Sequence, residues 1–441
     1  MTPSQLASIQ AVYKSRTPCS FKAFQLSGQV MPGVAKGAYY YAPYPITIER
    51  AESCFLYDLD GNQYVDFANH HTTQILGHNH PAVIRAVEDQ LKQGIAVGSP
   101  MGKETSLAKA LCDRVKSLDM VRFCNSGTEA TLHTIRLARE ITGRHIIGKF
   151  EGGYHGSHDS VEISVAPDTK LAGSATRPKP VRGAGGMPPN TTENVIVLPL
   201  DNEIASEAII KENKDRLAAV ILDPRTGVIP QRFDFIRAIR DITRKYDILL
   251  IFDEIVGFRS AIGGVQSQCG IIPDLTTYGK IIGGGFPIGA FGGRKELMSM
   301  LDPTQGKPRL SQSGTFSGHP VAMAAGLAML NELTSEVYDK LDYLTDRLVS
   351  GLTDVFKSTK TDVTVVASGS TFSIYFTAGP VRTYRDTTSA DRQTGAGIFL
   401  ALLNKGFNLS NGLVMNSLSI SMDETHIDGL VRAMNEVLEN S

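Results

Sequence analysis

Residues 248–252, Ile-Leu-Leu-Ile-Phe, form an unbroken apolar run that ends in two carboxylates, Asp253 and Glu254. A run this short with no polar face suits a strand buried on both sides, as in a parallel sheet covered by helices. Such a sheet requires strands and helices to alternate along the chain. They do. Apolar runs at 120–124, 145–149, 194–198 and 217–222 are interspersed with helical patterns at 127–141, 203–213 and 231–246. The alternation predicts an α/β fold, a mostly parallel sheet with helices on both faces.

The flanks read differently. Residues 1–50 predict a helix and then an irregular lead-in rich in Pro and Tyr. FLYDLDGNQYVDF, 55–67, alternates around Asp60-Gly61 and predicts a hairpin. Helices are expected at 80–93 and 103–117, and two more within 320–357. Beyond them come strands near 362–367, 371–376 and 417–421 and helices near 392–404 and 424–438, a smaller α+β domain shared with the hairpin. The expected boundaries are an N-terminal segment 1–75, a large domain 76–330 and a small domain 331–441. The loop 163–192 is too long for a plain connection and is expected to be a lid or disordered.

Composition narrows the function classes. The chain has 441 residues and a net charge of −1, which gives no electrostatic grip on nucleic acid or an anionic membrane. Cys19, Cys54, Cys112, Cys124 and Cys269 are scattered and odd in number, which predicts free thiols in a reducing compartment. The first 16 residues lack the apolar core of a signal peptide, and the apolar stretch 321–330 is too short to span a bilayer. A cytoplasmic protein is expected.

Several stretches carry chemistry. Ligands of open α/β sheets bind at the carboxyl ends of the strands, where Asp253 stands. Lys280 follows, ahead of a glycine-dense stretch. Pyridoxal phosphate needs a lysine amine for its Schiff base and an anion beside its pyridinium nitrogen. Taken singly, a lysine is ordinarily a solvated charge and a strand-end Asp a turn residue. NSGTEA, 125–130, places Ser126, Gly127 and Thr128 at a helix start, an anion site as well as a cap. GGYHGSHD, 152–159, sets Tyr154 and His155 in a Gly-rich turn, where a ring can stack on a flat cofactor or cover the sheet end. SGTFSGHP, 313–320, is a second hydroxyl-rich turn, with Thr315 central. His70, His71, His78 and His80 raise a metal-hydrolase alternative, but GHNHP reads as a helix entry and no HExxH accompanies it, so no metal is expected. GGGFPIGAFGG fails as a nucleotide fingerprint, because Ile288 stands where the third Gly is needed.

NSGTEATLHTIRLAR, FEGGYHGSHD, FDEIVGFR, PDLTTYGKIIGGGFPIGAFGG and SGTFSGHPVAMAAG occur in the order and spacing of class III aminotransferases, which the chain resembles from residue 31 to its last helix. Within them it looks most like the glutamate-1-semialdehyde aminomutase group and its relatives acting on β-phenylalanine or D-phenylglycine. The resemblance implies the fold type I architecture of pyridoxal-phosphate enzymes, a mostly parallel seven-stranded sheet plus a smaller α+β domain. It implies that Lys280 carries the cofactor as a Schiff base and Asp253 pairs with the pyridinium nitrogen. Tyr154 would stack on one face of the ring, with His155 beside it, and Ile255 would pack on the other. Ser126, Gly127 and Thr128 would hold the phosphate. Thr315 would reach the phosphate of a neighbouring subunit, making a homodimer with shared active sites. Asp223, in DPRTG, stands where the family has Glu.

For the substrate, the resemblance places Tyr40 and Gly37 where relatives keep arginines for a carboxylate, and His71 where the family has tryptophan. LSNGLVMNS, 409–417, also lacks an arginine. A buried carboxylate normally needs a paired cation, best an arginine. The expectation is therefore an aminotransferase working between an amine or amino acid and a keto acid by ping-pong chemistry, with Tyr40, His71 and Arg225 in the substrate pocket, and Arg177 or Arg182 as further candidates. The aminomutase reaction, and racemisation on the same scaffold, are the alternatives. A metal hydrolase and an inert binding protein are the other classes.

Overall fold

The computed structural model describes residues 1–225 and 229–439, so Thr226 and Gly227 of the DPRTG segment lie outside the described residues. The chain forms two units: Ala82–Ser335 with Arg382–Thr388, and Met1–Pro81 with Glu336–Val381 and Ser389–Ser441.

The larger unit is built on a seven-stranded sheet. Its strands, in sheet order, are Met120–Cys124, Gly289–Gly293, Leu275–Gly279, Leu249–Asp253, Leu217–Leu222, Ile146–Phe150 and Val195–Leu198. The Leu249–Asp253 strand runs parallel to both neighbours, and Ile146–Phe150 likewise. Gly289–Gly293 runs antiparallel to both strands beside it. Successive side chains leave a strand on opposite faces, and the apolar runs feed two cores. Val220, Leu222, Leu250 and Phe252 pack with Phe235, Ile236 and Ile239 of the helix Phe233–Lys245. Ala219, Ile221 and Ile251 pack with Ile135, Leu137 and Ala138 of the helix Gly127–Thr142. Both faces are covered, which is why these strands read as unbroken apolar runs.

Gly289–Gly293 carries no strand signal in the sequence, because strand propensity resides in side chains. Its glycines answer to backbone proximity instead. A Cβ on Gly289 would lie 2.0 Å from the Ser126 carbonyl oxygen, and one on Gly292 2.4 Å from that of Met120. The loop 163–192 is held by pairings of its own and by the strand before it. Gly173–Ser174 pairs with Arg177–Pro178, Ile163 bridges Arg182, and the buried Lys149 donates from Nζ to the Ile163 carbonyl at 2.5 Å.

The smaller unit holds the predicted hairpin, Phe55–Asp58 against Gln63–Asp66, extended by Ile48–Glu52 on one side and Phe407–Asn408 on the other. A second sheet joins Thr364–Ser368, Thr371–Tyr375 and Asn416–Ser417. The last helix, Glu424–Glu439, buries Ile427, Leu430, Met434 and Val437. The lead-in contains two helices where one was expected, Pro3–Arg16 and Pro18–Val30. Pro18 opens the second, at the first-turn position that tolerates proline. Among the described residues no helix is long and apolar enough to cross a membrane.

One buried ion pair ties helix to sheet. Arg240 grips Asp274 through two bonds, at 2.6 and 3.1 Å, and Asp274 also accepts the Leu250 N–H at 2.8 Å. Asp274→Ala leaves the guanidinium and that N–H without their acceptor. It should destabilise the protein by about 3–5 kcal/mol, read as a lowered urea midpoint; an unchanged midpoint would show that the pair is not needed.

Candidate active site

The sheet brings three sequence-predicted groups together. Asp253 ends its strand and is almost fully buried. Its Oδ1 accepts from the Ile255 N–H at 3.1 Å and from Thr277 Oγ1 at 3.2 Å, and Thr277 is its register partner on the next strand. Its Oδ2 accepts from His155 Nδ1 at 2.7 Å. Lys280 follows that next strand directly, with φ 50°, a left-handed conformation that a non-glycine residue rarely adopts. Burial lowers its ammonium pKa, against the opposing pull of Asp253 and Asp223. Asp223 follows Leu217–Leu222, two strands from Lys280, and accepts the Arg225 N–H at 2.8 Å. Burial raises its pKa, and the charge of Asp253 adds to the rise.

The two carboxylates at the strand end have separate tasks. Glu254 is fully buried and accepts the N–H groups of Val265 and Gln266 at 3.2 and 2.8 Å. Burial pushes its pKa up to about 7. It holds the turn leading into Gly264–Cys269, where a Cβ on Gly264 would meet its carboxylate at 2.8 Å.

Ser126 caps the helix Gly127–Thr142 by accepting the Glu129 N–H at 3.1 Å, while the Glu129 carboxylate takes the Asn125 N–H at 2.9 Å. Ile255 packs so close to this helix start that a Cβ on Gly127 would lie 2.7 Å from its Cδ1. Gly156 lies against Thr128, where a Cβ would stand 2.8 Å from the Thr128 Cα, and Thr128 Oγ1 accepts the Ser157 N–H at 3.3 Å. The turn carrying Tyr154 and His155 is thereby brought to the helix start. Tyr154 is 53% exposed. His155 is buried, and its Nε2 has no hydrogen-bond partner among the described residues. Burial lowers its pKa, against the pull of Asp253.

The other predicted residues have surroundings of their own. Thr315 is exposed, in a turn whose neighbours Gly314 and Ser317 border a cavity with Glu104, Arg122 and Gln312. Arg225 is buried; its charge faces Asp223 and Glu254, its Nη1 lies 3.5 Å from Ser260 Oγ, and burial lowers its pKa to about 10. Arg177 pairs with Glu212, and Arg182 donates to the Met187 carbonyl at 2.8 Å. In the smaller unit Tyr40 is 46% exposed, and His71 stacks on Tyr39 with ring centroids 4.9 Å apart. His78 pairs with Asp66 at 2.9 Å. Among the described residues no group of three or more His, Cys, Asp and Glu side chains is arranged to hold a metal ion.

Sequence reasoning missed Thr277 and the bond from His155 to Asp253, which spans 98 positions. The YHG segment was visible, but a pairing at that distance leaves no local pattern.

The family model for aminotransferase class-III matches residues 37–438. Glutamate-1-semialdehyde 2,1-aminomutase of Methanocaldococcus jannaschii is 40% identical over 412 residues, 92% of this chain and 94% of that protein. An omega-transaminase from Sphaerobacter thermophilus superposes with a TM-score of 0.92 at 38% identity, over 95% of this chain and 97% of its own. A transaminase solved with PLP bound gives 0.89 at 29% identity, over 96% and 98% of the two chains.

His155→Leu removes the donor facing Asp253 Oδ2. It should cost about 1.5–3 kcal/mol, the range for a hydrogen bond to a charged group, measured by urea unfolding of cofactor-free protein; a cost below 0.5 kcal/mol, the low end for any hydrogen bond, would show that the bond contributes little.

Proposed function

Because the chain belongs to the class-III aminotransferases and has their fold type I architecture, we propose that it is a pyridoxal-phosphate enzyme that moves an amino group, with Lys280 as the residue that carries the cofactor. The observation that carries this reading is Lys280 held in a left-handed conformation beside Asp253, with the Asp253 carboxylate fixed by His155, Thr277 and the Ile255 N–H. The donor set fits the cofactor. A helix start supplies backbone N–H groups and hydroxyls for a phosphate, from Ser126, Gly127 and Thr128. The fixed Asp253 carboxylate would pair with the ring nitrogen, and Ile255 and Tyr154 would supply surfaces for the two ring faces.

When bound, pyridoxal phosphate supplies an electron sink for a bond broken at the amino-bearing carbon. The protein supplies the rest. Asp253 would balance the positive charge of a protonated ring nitrogen. Lys280 would move a proton from the substrate carbon to the carbon of the cofactor, and burial, by lowering its pKa, favours the neutral amine that this work needs. Thr315 is exposed, as a residue serving a neighbouring subunit's phosphate would be, and the proposed active unit is a homodimer. Sedimentation of fully active enzyme as a monomer would remove that assignment.

Two substrate readings have separate support. The aminomutase reading draws on the curated relative, 40% identical over nearly the whole chain. The aminotransferase reading draws on the omega-transaminase likeness and on the residues. Gly37 and Tyr40 stand where an arginine would bind a carboxylate, and Arg225 is buried beside two carboxylates of the protein itself. We favour the aminotransferase on the second ground.

One panel separates them. Glutamate-1-semialdehyde is supplied alone; aromatic amines and β-amino acids are supplied with pyruvate or 2-oxoglutarate. Amino transfer to the keto acid is expected, and efficient formation of 5-aminolevulinate would replace this reading with the aminomutase. Under either reading, Lys280→Ala should lower turnover by at least about 10³-fold, with the fold intact by far-UV circular dichroism. Borohydride fixing the cofactor to another lysine of the wild-type protein would reject Lys280.

A further inference from the structure

Between two stretches of the smaller unit, the chain gives seven residues, Arg382–Thr388, to the larger one. Arg385 sits there and makes five contacts. Its Nε and Nη2 grip Glu151 bidentately at 2.7 and 2.9 Å. Its Nη1 donates to the Gly173 carbonyl at 3.0 Å, and Nη2 also reaches those of Ala172 and Ser174 at 3.3 Å. Tyr384 donates from its hydroxyl to the Pro167 carbonyl at 3.1 Å.

Glu151 is buried and immediately follows the strand Ile146–Phe150. Next comes Gly152, with φ 81° and its N–H on the Ser164 carbonyl at 2.9 Å. Tyr384 closes over it: a Cβ on Gly152 would lie 2.4 Å from the Tyr384 Cβ. Two and three residues on are Tyr154 and His155, and His155 holds Asp253. A forked, charge-assisted pair fixes geometry as well as contributing energy. The contacts therefore run from Arg385 through Glu151 to the turn that presents both residues.

We propose that Arg385, backed by Tyr384, is a positioning residue: it fixes the Glu151–Gly152 turn, and with it Tyr154 and His155, while fastening the 163–192 loop through the carbonyls of 172–174. The effect on chemistry rests on the pyridoxal-phosphate reading above; the fastening of the loop does not.

The test compares holoenzyme of the wild type, Arg385→Met and Arg385→Lys. Trypsin reports the loop. Arg177 and Lys179 precede prolines and resist cleavage; of the remaining sites, Lys170 and Arg182, Lys170 is the informative one, because it adjoins the fastened carbonyls of 172–174. Cleavage after Lys170 should be at least tenfold faster in Arg385→Met. Visible circular dichroism of the bound cofactor reports the turn and should shrink. Turnover should fall by about 10–100-fold, the scale of a small misplacement at a reacting centre, with KM for the amino donor changing much less. Arg385→Lys keeps the charge but not the fork; it should resemble Arg385→Met, and it carries the test if that variant does not fold. Faster cleavage with unchanged cofactor dichroism and turnover would reduce Arg385 to a loop fastener and overturn the proposal, as would no change in any readout. A wild-type protein without a cofactor band would fail the functional reading instead, and trypsin cleavage, which needs no cofactor, keeps the two failures apart.

Discussion

Holding one carboxylate in place at the end of a buried sheet organises the larger unit. Asp253 has almost no access to water, and an unpartnered carboxylate there would cost several kcal/mol. Its three donors come from three places: the turn after Ile146–Phe150, the neighbouring strand, and the start of the helix after Asp253 itself. Satisfying the charge therefore fixes the relative positions of those elements. The same burial acts on the groups nearby. It raises the pKa of Asp223, which the charge of Asp253 raises further, and it lowers that of Lys280. Burial thus moves the two groups in opposite directions, Asp223 towards its protonated form and Lys280 towards its neutral one.

The legible part of this arrangement is the part written in side-chain periodicity. The helix Phe233–Lys245 buries Phe235, Ile236, Ile239 and Ile242 at helical spacing, and the strands around it are apolar on both faces. Lys280, Asp253 and Ser126 were legible as motifs, because each stands at a strand or helix end marked by the pattern around it. Gly289–Gly293 was not legible as a strand, since three of its five residues are glycines, placed where a Cβ would strike neighbouring backbone. Pairings across distance were equally silent. Glu151 and Arg385 lie 234 positions apart, and nothing beside either one names the other. His155 was expected beside the cofactor ring; the geometry makes it the partner of Asp253, which only the folded chain reveals.

Backbone strain marks the places where side-chain chemistry prevails over local preference. Lys280 at φ 50° takes a conformation that costs about 1–2 kcal/mol for an L-residue and that glycine would adopt freely. Glycine there would have no amine, so the conformation and the side chain are required together. The smaller unit presents the same conflict over a longer stretch. Asn69, His70, His71 and Thr72 have φ of 45°, 50°, 51° and 73°, a full left-handed turn without a glycine. The turn is anchored where it is buried: Asn69 donates from its side chain to the Ser417 carbonyl at 2.7 Å and from its backbone to Asp66 at 3.1 Å. Both histidines are engaged above it, His70 Nδ1 with the Tyr39 hydroxyl at 3.0 Å and His71 in a stack on the same ring. Glycine at 70 or 71 would relieve the backbone and lose one of these contacts, so the turn is held by its side chains against the preference of its own main chain.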